Sequence, residues 1–218
     1  KKLEKALVFL SDKVNTYVYL PSVIKNNYKN IIKKYLEDII QKYKIKGFVI
    51  SNLSNLKFLE GYKSNFEIIG NSSLNIFNNY SIKECAEYGI NKVTLSRELS
   101  KTELEDILKY NLDIDTELIV YGTLPIMSCN YCFLGKSNMC YPECKRLCSD
   151  DNSYYLKDRL GFKFRIVSDN IQSITSIFNS KILSISPKTF NVSSVRIDIL
   201  DENVTRSEEH TSELQSRR

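Results

Sequence analysis

The chain has 218 residues, 42% hydrophobic and 26% charged, with 7 Gly, 4 Pro and no Trp. That length and apolar content suit one domain with its own core and exclude collagen-like, low-complexity and disordered classes. Net charge is a mild +5; no apolar run approaches the roughly 18 residues of a membrane-spanning helix and no cleavable leader precedes the body, so the expectation is a soluble, cytoplasmic chain without a membrane partner.

In chain order, residues 4–14 read as the end of a helix and 17–20 as a strand stopped by Pro21. Residues 28–43 carry Ile31, Ile32, Leu36, Ile39 and Ile40 at the spacing of one helix face. Next come a strand at 47–51, a short helix at 53–60, and strands at 67–70 and 74–77. Ser81 with Glu84 matches a capping box for a helix to Tyr88, closed by Gly89. A strand at 92–96 follows, then Ser100 with Glu103 opening a helix to about Asn111, then a strand at 117–121. Residues 122–151 show neither period. Residues 154–157 and 162–167 flank Asp158-Arg159-Leu160-Gly161 as a β-hairpin, and 194–200 supply a last strand.

Strand and helix alternating at these intervals predict right-handed crossovers and a parallel sheet. The expected fold is α/β: a (β/α) TIM-barrel-like partial barrel over residues 1–205, with a cysteine-rich loop and β-hairpin insertion at 122–168. An open doubly wound sheet is the alternative. Lys1 falls inside an amphipathic segment, so the chain is expected to begin within a longer protein. Residues 206–218 lose periodicity and back-translate to a string resembling a sequencing-library adapter, so they are expected to be a non-native tail. That tail holds three Arg, three Glu and His210, the one histidine. Without it the body has no Ser-His-Asp or Cys-His pair and no HExxH zinc site.

Cys129, Cys132, Cys140, Cys144 and Cys148 stand in the pattern C-x2-C-x7-C-x3-C-x3-C. Thiols this dense in a leaderless chain point to a metal more than to disulfides. Soft thiolates suit tetrahedral zinc or an iron–sulfur cluster, and the spacing leaves both open. Cys85, inside a helix, reads as a small buried apolar residue.

Several segments together resemble the collagenase-like peptidase family, peptidase U32. They are Ser73-Leu-Asn-Ile-Phe-Asn78, Val93-Thr-Leu-Ser-Arg-Glu-Leu99, Glu117-Leu-Ile-Val-Tyr-Gly122 with Cys132 downstream, Cys140-x3-Cys144, Tyr154-Tyr-Leu-Lys-Asp-Arg159 and Ile177-Phe-Asn-Ser-Lys181. The resemblance implies a barrel with the cysteine loop after one strand, and Cys132, Cys140 and Cys144 in a 4Fe-4S cluster. Where the family's first signature cysteine stands, this chain has Pro125, and the later position where relatives supply a fourth thiolate reads as Ser173 or Ser184; the resemblance then implies either Cys129 or Cys148 in its place, or a three-thiolate cluster with one accessible iron. Peptide hydrolysis is what the family name implies. Other relatives look like enzymes that hydroxylate RNA nucleosides or a small aromatic precursor without dioxygen. Hydrolysis needs an activated nucleophile and a proton donor to the leaving amine, whereas redox chemistry needs an electron-carrying cofactor, which the cysteines suit. RNA or a small aromatic molecule is therefore the expected substrate, with a peptide as the alternative; a zinc-stabilised binding module is the non-enzymatic reading.

In such a barrel the C-terminal strand ends face the substrate. These ends carry Asn75, Asn78, Ser96, Glu98, Glu117, Tyr121, Arg196 and Asp198, with Asn75, Glu98 and Tyr121 as the catalytic candidates. Each has a plainer reading: Asn75 and Asn78 as turn or cap residues, Glu98 as a first-turn charge, Glu117 as half of an ion pair within the barrel. Asp158 and Arg159 simply build the hairpin turn, and Arg159 is also suited to a phosphate or carboxylate. Lys33, Lys34, Lys42, Lys44 and Lys46 read as a solvated face, and +5 is no nucleic-acid signature without an aromatic or Arg-rich stripe.

Overall fold

The computed structural model describes residues 2–110, 112, 114–136, 148, 153–169, 172–186 and 190–200. They fall in two compact units, Lys1–Ile119 with Phe190–Arg196 and Val120–Thr189 with Ile197–Arg218. No helix among the described residues is long and apolar enough to cross a membrane.

In the first unit, α1 (Lys2–Leu10) precedes β1 (Tyr17–Tyr19), and α2 (Lys29–Lys42) leads to β2 (Gly47–Ile50). β3 (Glu67–Gly70), α3 (Asn79–Glu87), β4 (Lys92–Thr94), α4 (Lys101–Leu108) and β5 (Asp115–Gly122) follow. β1 to β5 pair in chain order and all in parallel. This order is compatible with a partial barrel and, being sequential with helical crossovers, gives the mixed α/β class expected. β11 (Ser194–Asp198) also pairs with β5.

The local reasons are legible. α2 buries Leu36 and Ile39, while Ile31 is 44% exposed and lies outside the buried stripe. Gly47 is required where β2 meets β3, because a Cβ there would lie 1.9 Å from the Glu67 carbonyl oxygen. The helix expected at 53–60 is a 3-10 segment, Leu53–Leu59, opened by a reciprocal Asn52–Asn55 capping box. The strand expected at 74–77 does not form. The backbone instead turns through a 3-10 segment at Ser72–Leu74, closed by Asn75 N–H to the Ser72 carbonyl, and Asn75 takes a left-handed φ of 56°. Alternation there reflects only Ile76, 2% exposed, plugging the core. Asn78, not Ser81, caps α3, accepting from the Ser81 N–H. Ser100 and Glu103 do form the predicted capping box of α4.

The second unit begins within β5 and holds a four-stranded antiparallel sheet in the order β6 (Pro125–Cys129), β9 (Ile174–Phe178), β8 (Lys163–Asp169), β7 (Tyr154–Lys157). β7 and β8 are the predicted hairpin: the Asp158 carboxylate accepts from the Leu160 and Phe162 N–H groups, and Gly161 supplies φ 91°. β6 and β9 fall where no strand was expected. β6 is an exposed edge with no alternation, and β9 buries Thr175 as well as Ile177, so neither carries a clean apolar period. β10 (Leu183–Ser184) pairs antiparallel with the end of β5 at Gly122 and Tyr121. A four-residue helix, α5 (Phe133–Lys136), follows Cys132.

Candidate functional site

In a parallel sheet, residues paired in register share a face. One face of the first unit reads Val18, Phe48, Ile68, Val93 and Thr116, with Leu118 next along β5, all buried and all apolar but for Thr116. The other starts with Tyr17, Gly47 and Glu67 and ends in Thr94 opposite Glu117, with Asn71 one step beyond β3. A sheet covered on both sides is ordinarily apolar on both. Here the second face carries Ile69 and Ile119 but also the buried polar groups of Asn71, Thr94 and Glu117, which must find partners.

They do. Thr94, fully buried, donates its hydroxyl to Glu117 Oε1 at 2.9 Å. Arg196, arriving on β11, donates from Nη1 to Glu117 Oε1 and to Thr94 Oγ1, each at 3.4 Å, and from Nη2 to Asn71 Oδ1 at 3.0 Å. Asn71, 5% exposed, donates from Nδ2 to the Tyr19 hydroxyl at 2.8 Å and to Ser51 and Ser73 Oγ at 3.4 and 3.3 Å. Ser73 closes the set by donating to the Ser51 carbonyl at 2.7 Å. The network thus joins Tyr19 and Thr94, the last residues of β1 and β4, and Asn71, one step past β3, to Glu117, third of eight residues in β5, and Arg196, in the middle of β11. Tyr19, 55% exposed, presents its ring outward from the same set.

A second cluster sits at the opposite ends of the strands. Tyr17 donates to Glu67 Oε2 at 2.6 Å, and Lys46 pairs with the same oxygen at 3.3 Å. The phenol hydrogen bond, with Lys46 adding to it, holds the Glu67 carboxyl below its ordinary range; burial first and Glu67 second push Tyr17 well above its own. This cluster stands at the N-terminal ends of β1 and β3.

Of the catalytic candidates, Asn75 is an exposed turn residue. Glu98 lies exposed in the turn before α4, its N–H donating to Ser96 Oγ at 3.3 Å. Tyr121, 4% exposed, belongs to the second unit. No hydrogen bond joins Asn75 to Glu98 among the described residues. Glu117 and Arg196 form an ion pair at 3.4 Å with side chains 11% and 21% exposed. Asn71, Thr94, Ser51 and Tyr19 were not singled out from the sequence. The available signal was a polar residue at, or one step past, the end of successive apolar strands.

Burial, and then Glu84, raises the Cys85 thiol; Cys85 is 5% exposed, as a small core residue. Cys129 closes β6, and Cys132, half-buried, accepts the Gly135 N–H at 3.4 Å from the first turn of α5. Cys148 is also half-buried. Cys140 and Cys144 lie outside the described residues, as does the 206–218 tail. Among the described residues no three His, Cys, Asp or Glu side chains gather closely enough to hold a metal ion, so Cys129, Cys132 and Cys148 do not make a centre by themselves. The donor chemistry is nonetheless compatible with one: five thiols in the sequence, with the Gly135 N–H on the Cys132 sulfur.

The model of peptidase family U32 matches residues 1–189 of the chain. Nothing among curated proteins or solved structures matches it.

Proposed function

The chain belongs to peptidase family U32, and on that premise we propose an enzyme that uses a cysteine-held 4Fe-4S cluster to hydroxylate an RNA nucleoside, or a small aromatic precursor, with oxygen drawn from a donor other than dioxygen. The observation that carries this reading is the donor set: five cysteines in twenty residues with no histidine beside them, and a main-chain N–H on the Cys132 sulfur. Cys132, Cys140 and Cys144 would hold the cluster, with Cys129 or Cys148 as a further ligand. Such a cluster supplies electron transfer when bound. The polar network supplies orientation: Arg196 and Thr94 fix the Glu117 carboxylate, and Asn71 fixes the Tyr19 hydroxyl, so these groups are set before a substrate arrives.

Hydrolysis is the competing reading, favoured by the family's name. Thr94 donating to Glu117 has the form of a nucleophile on a base, but the Thr94 hydroxyl is fully buried and the carboxylate is already engaged by Arg196. A scissile carbonyl has no approach to that oxygen. Anaerobic purification of the full chain with a visible spectrum and metal analysis separates the readings. A brown protein containing iron, losing colour and iron in Cys132→Ser, and hydroxylated nucleosides lost from the RNA of cells lacking the gene are the expected results. A colourless protein with stoichiometric zinc supports a binding module. Peptide hydrolysis that survives chelation and loss of the cysteines supports a peptidase.

A further inference from the structure

The hairpin of the second unit places charges in an arrangement that folding alone does not favour. Tyr155 stands opposite Arg165, and Lys157 opposite Lys163, in the β7–β8 register. Alternation puts all four on one face of the sheet, with Val167 and Asp169 further along β8, Ser176 opposite Val167 on β9, and Ser128 opposite Ser176 on β6. Lys157, Lys163 and Tyr155 are exposed, the last at 49%. The Arg165 guanidinium lies 5.6 Å from the Tyr155 ring centroid and bonds the Tyr154 and Ile166 carbonyls, which braces the ring. At the tip, Arg159 is exposed and Asp158 is committed to the turn N–H groups. No acidic side chain pairs with Lys157, Lys163 or Arg159 among the described residues.

Like charges directly opposite in an antiparallel pair destabilise it. Two lysines face each other without a counter-charge, about 7 Å along the strands from a braced, exposed aromatic ring. A polyanion bearing flat rings satisfies both features: phosphates neutralise the lysines and a base stacks on Tyr155. We infer that this hairpin face is a binding surface for single-stranded RNA. The choice of RNA as partner rests on the function proposed above, whereas the surface stands on its own geometry. The aromatic and basic stripe absent from the linear sequence is assembled by pairing two strands.

The test is fluorescence anisotropy of the full chain with a labelled unstructured RNA oligonucleotide over a salt series. Lys157→Gln with Lys163→Gln should weaken binding at least tenfold and lower the salt slope by about 1.4, two phosphates at roughly 0.7 each. Tyr155→Ala should weaken it roughly five- to a hundredfold with the slope unchanged. Lys163→Glu, which turns the like-charge pair into an opposite-charge one, should raise the thermal midpoint while weakening binding; a merely structural lysine would not do both. Two results overturn the inference: RNA binding indifferent to all these changes, or polyglutamate competing as well as RNA while Tyr155→Ala has no effect, which would mark an acidic protein as the partner. Iron content is read on the same variants. Hairpin-dependent RNA binding without iron or modified nucleosides would sink the proposed chemistry and leave the surface, and modification with an inert hairpin would do the reverse.

Discussion

Replacing Tyr17 with Phe deletes one hydroxyl and little else, and the structure says when that hydroxyl should matter. Its 2.6 Å bond to Glu67 is charge-assisted, a type that contributes about 1.5–3 kcal/mol. Because the Glu67 side chain is a quarter exposed, screening brings the expected cost of Tyr17→Phe at pH 7 to about 1–2 kcal/mol. The pH dependence follows from the two shifts. Glu67 is depressed below its ordinary 4.5, so its contribution is present above that value and lost as pH falls through the folded-state value. Tyr17 is raised above its ordinary 10.0, so its contribution is present below pH 10 and lost as pH rises toward the folded-state value. The cost of the substitution should therefore form a plateau between about pH 4.5 and 10 and shrink on both sides. Urea denaturation of wild type and variant at pH 3, 7 and 11 measures it, with Glu67→Gln as the control that removes the acid limb. A cost equal at all three values would refute the coupling of phenol and carboxylate.

At the polar network, Arg196→Ala leaves the Glu117 carboxylate buried with Thr94 as its remaining side-chain donor among the described residues. The expected loss is about 2–4 kcal/mol, somewhat under the roughly 3–5 for a fully enclosed pair because Arg196 keeps some solvent contact. Adding Glu117→Gln should cost less than the sum of the two single changes, and strict additivity in the double-mutant cycle would show that the 3.4 Å pair carries no energy. Gly47→Ala places a methyl against the Glu67 carbonyl, so β2 and β3 must part; thermal unfolding should detect a loss of several kcal/mol, and an unchanged midpoint would contradict this strand spacing. Ser100→Ala removes the side-chain acceptor for Glu103 N–H and should cost about 1 kcal/mol, seen as faster amide exchange in the first turn of α4.

Sequence alone determined the parts of this protein that depend on local chemistry. The Glu67–Gly70 strand, the α2 helix, the Ser100 capping box and the Asp158–Gly161 hairpin turn are each set by residues within a few positions of one another, where period and capping act. The missed elements show the limit. Leu74 to Phe77 alternates like a strand, but the left-handed Asn75 turns it away, and β6 shows no period because it is an exposed edge. The polar face was the least legible. Glu117 and Arg196 are 79 positions apart, and Arg196 and Asn71 are 125 apart. Buried polar groups need partners, but nothing local names them; only strand pairing, which sets Thr94 of β4 opposite Glu117 of β5 and brings β11 beside β5, puts Asn71, Thr94, Glu117 and Arg196 within hydrogen-bonding reach. The basic hairpin face follows the same logic: net charge is a sum over the chain, whereas a binding stripe depends on which residues strand pairing puts side by side.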